Sequence, residues 1–230
     1  MSGRVIAAVL WDMDGTLVDS EPLWIEAQRR LVRGYGREWT DQDGLRLVGV
    51  DMDATARALQ ARGVPLATAE IVARLTDEVT RSLERDVPWR PGAQELVRAL
   101  GEADVPQAIV TTSPLAMAQA VAGRLADGAI TVIVAAEHVT RGKPDPEPYL
   151  HAARMLEVDP RRCLAIEDSP TGLAAAVAAG TVAIGVPNDA VLAGDGTWTR
   201  LATLAGVSVA ALAGIAARRQ TPGRADPSPA

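Results

Sequence analysis

Val5-Ile6-Ala7-Ala8-Val9-Leu10-Trp11 runs without a break into Asp12-Met13-Asp14-Gly15-Thr16. An uninterrupted apolar run predicts a strand buried on both faces, because a half-exposed strand would alternate apolar and polar residues. Two carboxylates then arrive together at the strand's carboxyl end. Placing them there is costly unless a cation or hydrogen bonds neutralise them, and hard oxygen ligands suit Mg²⁺. Gly15 permits a tight turn and close backbone approach. In isolation the motif reads equally as a solvated acidic loop, so the rest of the chain has to decide.

Outward from this run, residues 21–87 change character. Charge density is high and apolar residues fall at helical spacing: Leu23, Ala27 and Leu31, then Ala54 and Ala58, then Ile71, Leu75, Val79 and Leu83. This is a helical insert. At Pro91 strands and helices begin to alternate. A helix is predicted over 92–100, a strand over 107–112, a helix opened by Ser113-Pro114, and a strand over 130–135. A helix over 146–157, a strand over 163–166, a helix opened by Ser169-Pro170 and closed by Gly180, and a strand over 182–186 follow. The openings follow helix punctuation: a side-chain N-cap, Pro in the first turn, Gly after the end. Residues 221–230 hold three prolines and are expected to be disordered. The fold class is α/β: a Rossmann-like parallel sheet with helices on both faces, carrying the helical insert. In such sheets ligands bind beyond the carboxyl ends of the strands, where Asp12, Thr111 and Asp168 all fall.

Composition narrows the chemistry. The chain has 230 residues, 48% hydrophobic and 23% charged, with no Phe, and the only lysine among 23 basic residues is Lys143. The net charge of −6 opposes non-specific nucleic-acid binding, which needs basic surface. A single cysteine, Cys163, excludes an intramolecular disulfide and multi-cysteine zinc sites. No apolar run is long enough for a transmembrane span, and the apolar start is too short for a signal peptide, so no membrane partner and a cytoplasmic location are expected. With no exposed apolar heptad run, a monomer is expected.

Further groups join the acidic pair. Glu167-Asp168 supplies more acid at another strand end. Thr111-Thr112-Ser113 offers hydroxyls and backbone N–H groups at a helix start, a ready anion site. Lys143 sits in Arg141-Gly142-Lys143-Pro144-Asp145-Pro146, a compact point charge in a chain that otherwise uses arginine.

The runs Asp12-Met13-Asp14-Gly15-Thr16-Leu17-Val18-Asp19-Ser20-Glu21-Pro22, Thr111-Thr112, Gly142-Lys143-Pro144-Asp145-Pro146 and Glu167-Asp168-Ser169 resemble, in order, the four motifs of the haloacid dehalogenase superfamily. The match spans residues 7–187. The resemblance implies a discontinuous α/β core over 1–16 and 89–220, with residues 17–88 as an α-helical cap. It implies Asp12 as the nucleophile that becomes an aspartyl-phosphate and Asp14 as general acid and base. Gly15, Thr16, Thr111, Thr112 and Lys143 would bind phosphate. Mg²⁺ would be held by the Asp12 carboxylate, the Asp14 backbone carbonyl and Asp168, with Glu167 assisting directly or through water. The expected partner is a small phosphorylated metabolite.

Within that resemblance, phosphonate-cleaving relatives need a cap lysine, and residues 17–88 have none. Sugar-phosphate mutases carry a lysine and an arginine around the cap glycine aligned with Gly49; here Val48 precedes it and Asp51-Met52-Asp53 follow. Dehalogenases lack the second aspartate. Phosphomonoester hydrolysis is the leading expectation, with a sugar-phosphate mutase or a non-catalytic phosphometabolite-binding protein as alternatives. The 19–24 run is similar to small sugar-phosphate phosphatases. Segments 34–36 and 47–49 are candidate loops facing the site, and Trp24 and Trp39 are read as cap core. Trp11 stands where Phe is usual. His138 is read as structural, and Cys163 as an apolar filler.

Overall fold

The computed structural model describes residues 5–188, 190–194 and 196–220. The tail expected to be disordered, 221–230, lies outside them. The first run forms β1 (Ala8–Trp11), shorter than its apolar stretch because parallel pairing starts at Ala8, opposite Cys163. Then come α1 (Glu21–Gly34), α2 (Asp41–Leu45), α3 (Met52–Ala61) and α4 (Thr68–Arg85). The alternating region supplies α5 (Ala93–Glu102), β2 (Gln107–Val110), α6 (Leu115–Ala122), β3 (Val132–Val134) and α7 (Glu147–Met155). It ends with β4 (Cys163–Glu167), α8 (Pro170–Ala178), β5 (Val182–Gly185), β6 (Thr199–Arg200) and α9 (Val209–Gln220). The sheet is parallel throughout, in the order β3-β2-β1-β4-β5-β6. The edge strand β6 was not anticipated, since two residues, one of them arginine, carry no apolar run.

Alternate residues of each central strand enter different clusters, as the strand period requires. Val9, Trp11, Ile109, Leu164, Ile166 and Ile184 join the larger cluster, with residues of α5, α9 and the inserted helices. Ala8, Ala108, Ala165 and Ala183 face the other way, onto Ala152, Ala153, Ala175 and Ala176 of α7 and α8. The alanine-rich composition is therefore used where helices lie close against the sheet. The four-residue spacing in 71–83 is the buried stripe of α4, which packs against α1, α3 and α6. The chain leaves and re-enters the sheet layer side by side: Val18 bridges Trp89, and the Asp19 amide donates to the Pro88 carbonyl at 2.8 Å.

Trp11 is fully buried, and its indole N–H donates to Gln107 Oε1 at 3.0 Å. Gln107 Nε2 in turn donates to the Val97 carbonyl at 2.9 Å. A tryptophan where Phe is usual brings a polar group that must be satisfied when buried, and Gln107 satisfies it.

Helix punctuation differs in detail from the sequence reading. Ser169 does cap α8, accepting the Gly172 amide at 3.0 Å. Ser113 does not cap α6: Pro114 holds the N-cap position, and the first amide, Leu115, donates to the Glu137 carboxylate. The α7 start is served by Asp145, whose Oδ1 accepts the Glu147 amide at 2.9 Å.

Candidate active site

β1, β2 and β4 are adjacent in the sheet, so their carboxyl ends form one edge. Asp12 leaves β1 there, Thr111 leaves β2, and Glu167 closes β4 with Asp168 beyond it. Lys143 comes from the loop before α7. Its ammonium reaches Asp12 Oδ1 at 2.5 Å, Glu167 Oε1 at 2.6 Å and the Val110 carbonyl at 2.9 Å. All three donors of a buried cation are thereby used. Burial works against the charge, but Asp12 and Glu167 outweigh it and hold the Lys143 pKa above its ordinary value.

Burial, followed by repulsion from Glu167, pushes the Asp12 carboxyl well above the usual range despite Lys143. Asp12 Oδ2 is buried without a hydrogen-bond partner. Asp168 is raised to about 7 by burial and then by Glu167. Asp12, Glu167 and Asp168 each offer a carboxylate oxygen within 4.8 Å of the others. An orphaned oxygen beside clustered carboxylates is a set of hard donors lacking a positive charge, which a divalent cation supplies. The residues therefore fit a metal such as Mg²⁺. Gly15 allows this approach: its φ is +82°, and a Cβ there would lie 2.0 Å from Asp168 Oδ2.

The Asp14 side chain lies among hydroxyls. Its Oδ1 accepts from Ser20 at 2.6 Å, and its Oδ2 from Ser113 at 2.7 Å and, more weakly, Thr111 at 3.4 Å. Thr111 Oγ1 also accepts the Ser113 amide at 3.0 Å. Of the amides expected to be open to an anion, Ser113 is thus occupied, and Thr111 donates to the Val134 carbonyl at 2.9 Å. Thr112 is exposed. Thr16 is fully buried, with its hydroxyl lacking a partner.

Glu167 is held on every side. Oε1 accepts from Lys143 and from Tyr149 Oη at 2.5 Å, Oε2 accepts from Ser169 at 3.1 Å, and a Cβ on Gly172 would lie 2.0 Å from the carboxylate. Sequence reading missed Tyr149 and Gly172, which nothing local marked. Ser20, Ser113 and Ser169 lay inside quoted runs, but their bonds to Asp14 and Glu167 were not anticipated. His138 Nδ1 accepts the Ala135 amide at 3.0 Å and closes a short 3-10 turn, a structural role. Cys163 is buried, with its thiol pushed up to about 12 by burial, as for an apolar filler. Trp39 is buried, with Arg62 stacked 5.5 Å from its ring centre. Trp24 is half-buried against the larger cluster.

A family model for haloacid dehalogenase-like hydrolases matches residues 6–180. The "Phosphorylated carbohydrates phosphatase" of Thermotoga maritima is 32% identical over 175 residues, covering 75% of this chain and 81% of that protein. The "Bifunctional riboflavin kinase/FMN phosphatase" of Arabidopsis thaliana is 31% identical over 189 residues; the match takes 80% of this chain but only 49% of that protein, so the chain spans about half its length. Among solved structures, CbbY from Rhodobacter sphaeroides in complex with phosphate superposes with a TM-score of 0.76 at 29% identity, covering 90% of this chain and 99% of the other. Among the described residues no helix is long and apolar enough to cross a membrane.

Proposed function

Because the chain belongs to the haloacid dehalogenase-like hydrolase family and is a phosphatase, we propose that it hydrolyses a small phosphorylated metabolite, such as a sugar phosphate, with Mg²⁺ and through an aspartyl-phosphate on Asp12. The observation that carries this reading is Asp12 itself: one oxygen is held by Lys143 and the other is buried without a partner. Asp12, Asp168, the Asp14 backbone carbonyl and Glu167 would hold Mg²⁺. When bound, the cation neutralises clustered carboxylates and polarises a phosphoryl oxygen.

In this mechanism an Asp12 carboxylate oxygen attacks phosphorus, and the bond to the leaving oxygen breaks. Asp14 gives its proton to that oxygen. Water then attacks the phosphoryl group, Asp14 takes the water's proton, and the Asp12–phosphorus bond breaks to restore the carboxylate. Lys143 keeps Asp12 oriented and offsets the charge that would repel an anionic substrate. Thr111 and Ser113 hydroxyls, now on Asp14, and the Thr16 and Thr112 hydroxyls are the neutral donors for phosphate, with Gly15 allowing close backbone approach. Residues 17–88 act as a cap over the 1–16 and 89–220 core, closing on substrate and excluding water.

The sugar-phosphate mutase alternative needs a second phosphate clamp. Near Gly49, Asp51 instead caps α3, accepting the Ala54 amide at 2.8 Å, and Lys143 is committed to the carboxylates. A panel of phosphomonoesters with and without Mg²⁺ tests the proposal. Mg²⁺-dependent phosphate release that disappears in Asp12→Asn is expected. Full activity of Asp12→Asn would overturn the mechanism. Isomer interconversion without phosphate release would favour a mutase, and no turnover on any ester a non-catalytic binder.

A further inference from the structure

Lys143 owes its position to Glu167 as much as to Asp12. The carboxylate of Glu167 is itself fully buried and able to rotate unless held. Three elements pin it. Tyr149, in the first turn of α7, donates its phenol to Oε1 at 2.5 Å, Ser169 donates to Oε2 at 3.1 Å, and Gly172 leaves the space the carboxylate fills. Tyr149 is fully buried, and its ring centre lies 5.3 Å from the Lys143 ammonium. The phenol and the ammonium therefore converge on one oxygen from two directions. A carboxylate with two donors on Oε1 cannot turn that oxygen toward Asp168 without giving up both.

We propose that Tyr149 is a positioning residue: through Glu167 Oε1 it keeps Lys143 directed at Asp12. This rests on the phosphatase reading and adds a residue that its motifs do not contain. The Tyr149 hydroxyl donates to Glu167, and it is through Glu167 that it acts. It also gives Glu167 a role besides assisting a cation, since each of its oxygens already has a protein donor.

The test uses Tyr149→Phe, which removes one oxygen and keeps the ring. Because Lys143 is the single lysine, its rate of acylation by an amine-directed reagent reads how firmly the ammonium is held. The N-terminal amine is the internal reference, and mass spectrometry separates the two. This readout needs no substrate, so it succeeds or fails independently of the phosphatase reading. Lys143 in folded Tyr149→Phe should acylate faster, and kcat on an aryl phosphate should fall about 10- to 100-fold with KM nearly unchanged, the usual cost of losing a partner that orients a charged group. In a Glu167→Gln background, Tyr149→Phe should change kcat less than about twofold, since the two act as one unit. An acylation rate equal to wild type in the folded variant would overturn the proposal. So would additive effects of the two substitutions, or failure of Tyr149→Phe to fold, which would make the phenol a stability element.

Discussion

Replacing Lys143 by methionine keeps most of the side-chain volume and removes the charge. In the wild type that charge lies 2.5 Å from Asp12 Oδ1 and 2.6 Å from Glu167 Oε1, with both carboxylates buried. At an effective dielectric near 20, each such attraction is worth about 6 kcal/mol before any desolvation is counted. Carboxylate repulsion and desolvation of the ammonium offset much of the sum. Breaking a buried pair by removing one partner typically costs about 3–5 kcal/mol, and the stranded Val110 carbonyl adds to this. For a chain of this size each kcal/mol moves Tm by about 2–4 °C, so the metal-free variant should melt about 10 °C lower near neutral pH. The pH dependence follows from Asp12. Burial and Glu167 already raise its pKa, and removing Lys143 raises it further, so acidification protonates the carboxylate that lost its cation. The Tm deficit should therefore be largest at neutral and alkaline pH and shrink toward pH 5. Mg²⁺ should recover part of it by returning positive charge. Phosphate release should fall at least about 100-fold, the scale for losing one electrostatic group at such a site. Circular-dichroism melts in chelator and in Mg²⁺ at several pH values are the assay. A Tm equal to wild type at every pH, or a deficit that grows on acidification, would refute the reasoning.

Gly15→Ala should cost about 1–2 kcal/mol from its φ of +82° and force Asp168 aside, so the Mg²⁺ concentration for half-maximal activity should rise; unchanged metal dependence would count against Asp168 as a ligand. Asp168, raised to about 7, holds its proton more tightly folded than unfolded, so its contribution to metal-free stability is present below about pH 4 and lost as pH rises through 7. Asp168→Asn removes that dependence. In chelator its Tm should improve relative to wild type as pH climbs from 4 to 8, and a constant difference would contradict the assignment. Trp11→Phe strands Gln107 Oε1 and shrinks a buried ring; melts should show about 2–3 kcal/mol lost, with kcat within a few-fold of wild type. Trp11→Phe with Gln107→Leu should recover part of that stability.

The elements most legible in the sequence were those governed by local rules. The unbroken apolar run before Asp12 identified a central strand, and the spacing of Ile71, Leu75, Val79 and Leu83 identified one buried helix face. Less legible were short edges and caps. β6 is two residues long, and the amide that begins α6 is satisfied by Glu137, twenty-two residues away. Ser113 has the right type for a cap, yet its hydroxyl serves Asp14, because a hydroxyl at a turn bonds whichever acceptor the fold brings nearest.

The sequence by itself determined which chemistry-bearing residues this protein has and where its chain must turn. Asp12, Asp14 and Gly15 follow a buried strand, Lys143 is the one compact cation, and Glu167-Asp168 ends another strand. Period and turn chemistry act over a few residues and can be read there. Only the tertiary structure decided their partners. Tyr149 and Ser169 on Glu167, Ser20 and Ser113 on Asp14, Gly172 beneath a carboxylate and Gln107 on Trp11 join residues as far as 99 positions apart. Those pairings follow from the parallel order that sets β2, β1 and β4 side by side, since a buried polar group must find its partner in space, whatever its distance along the chain.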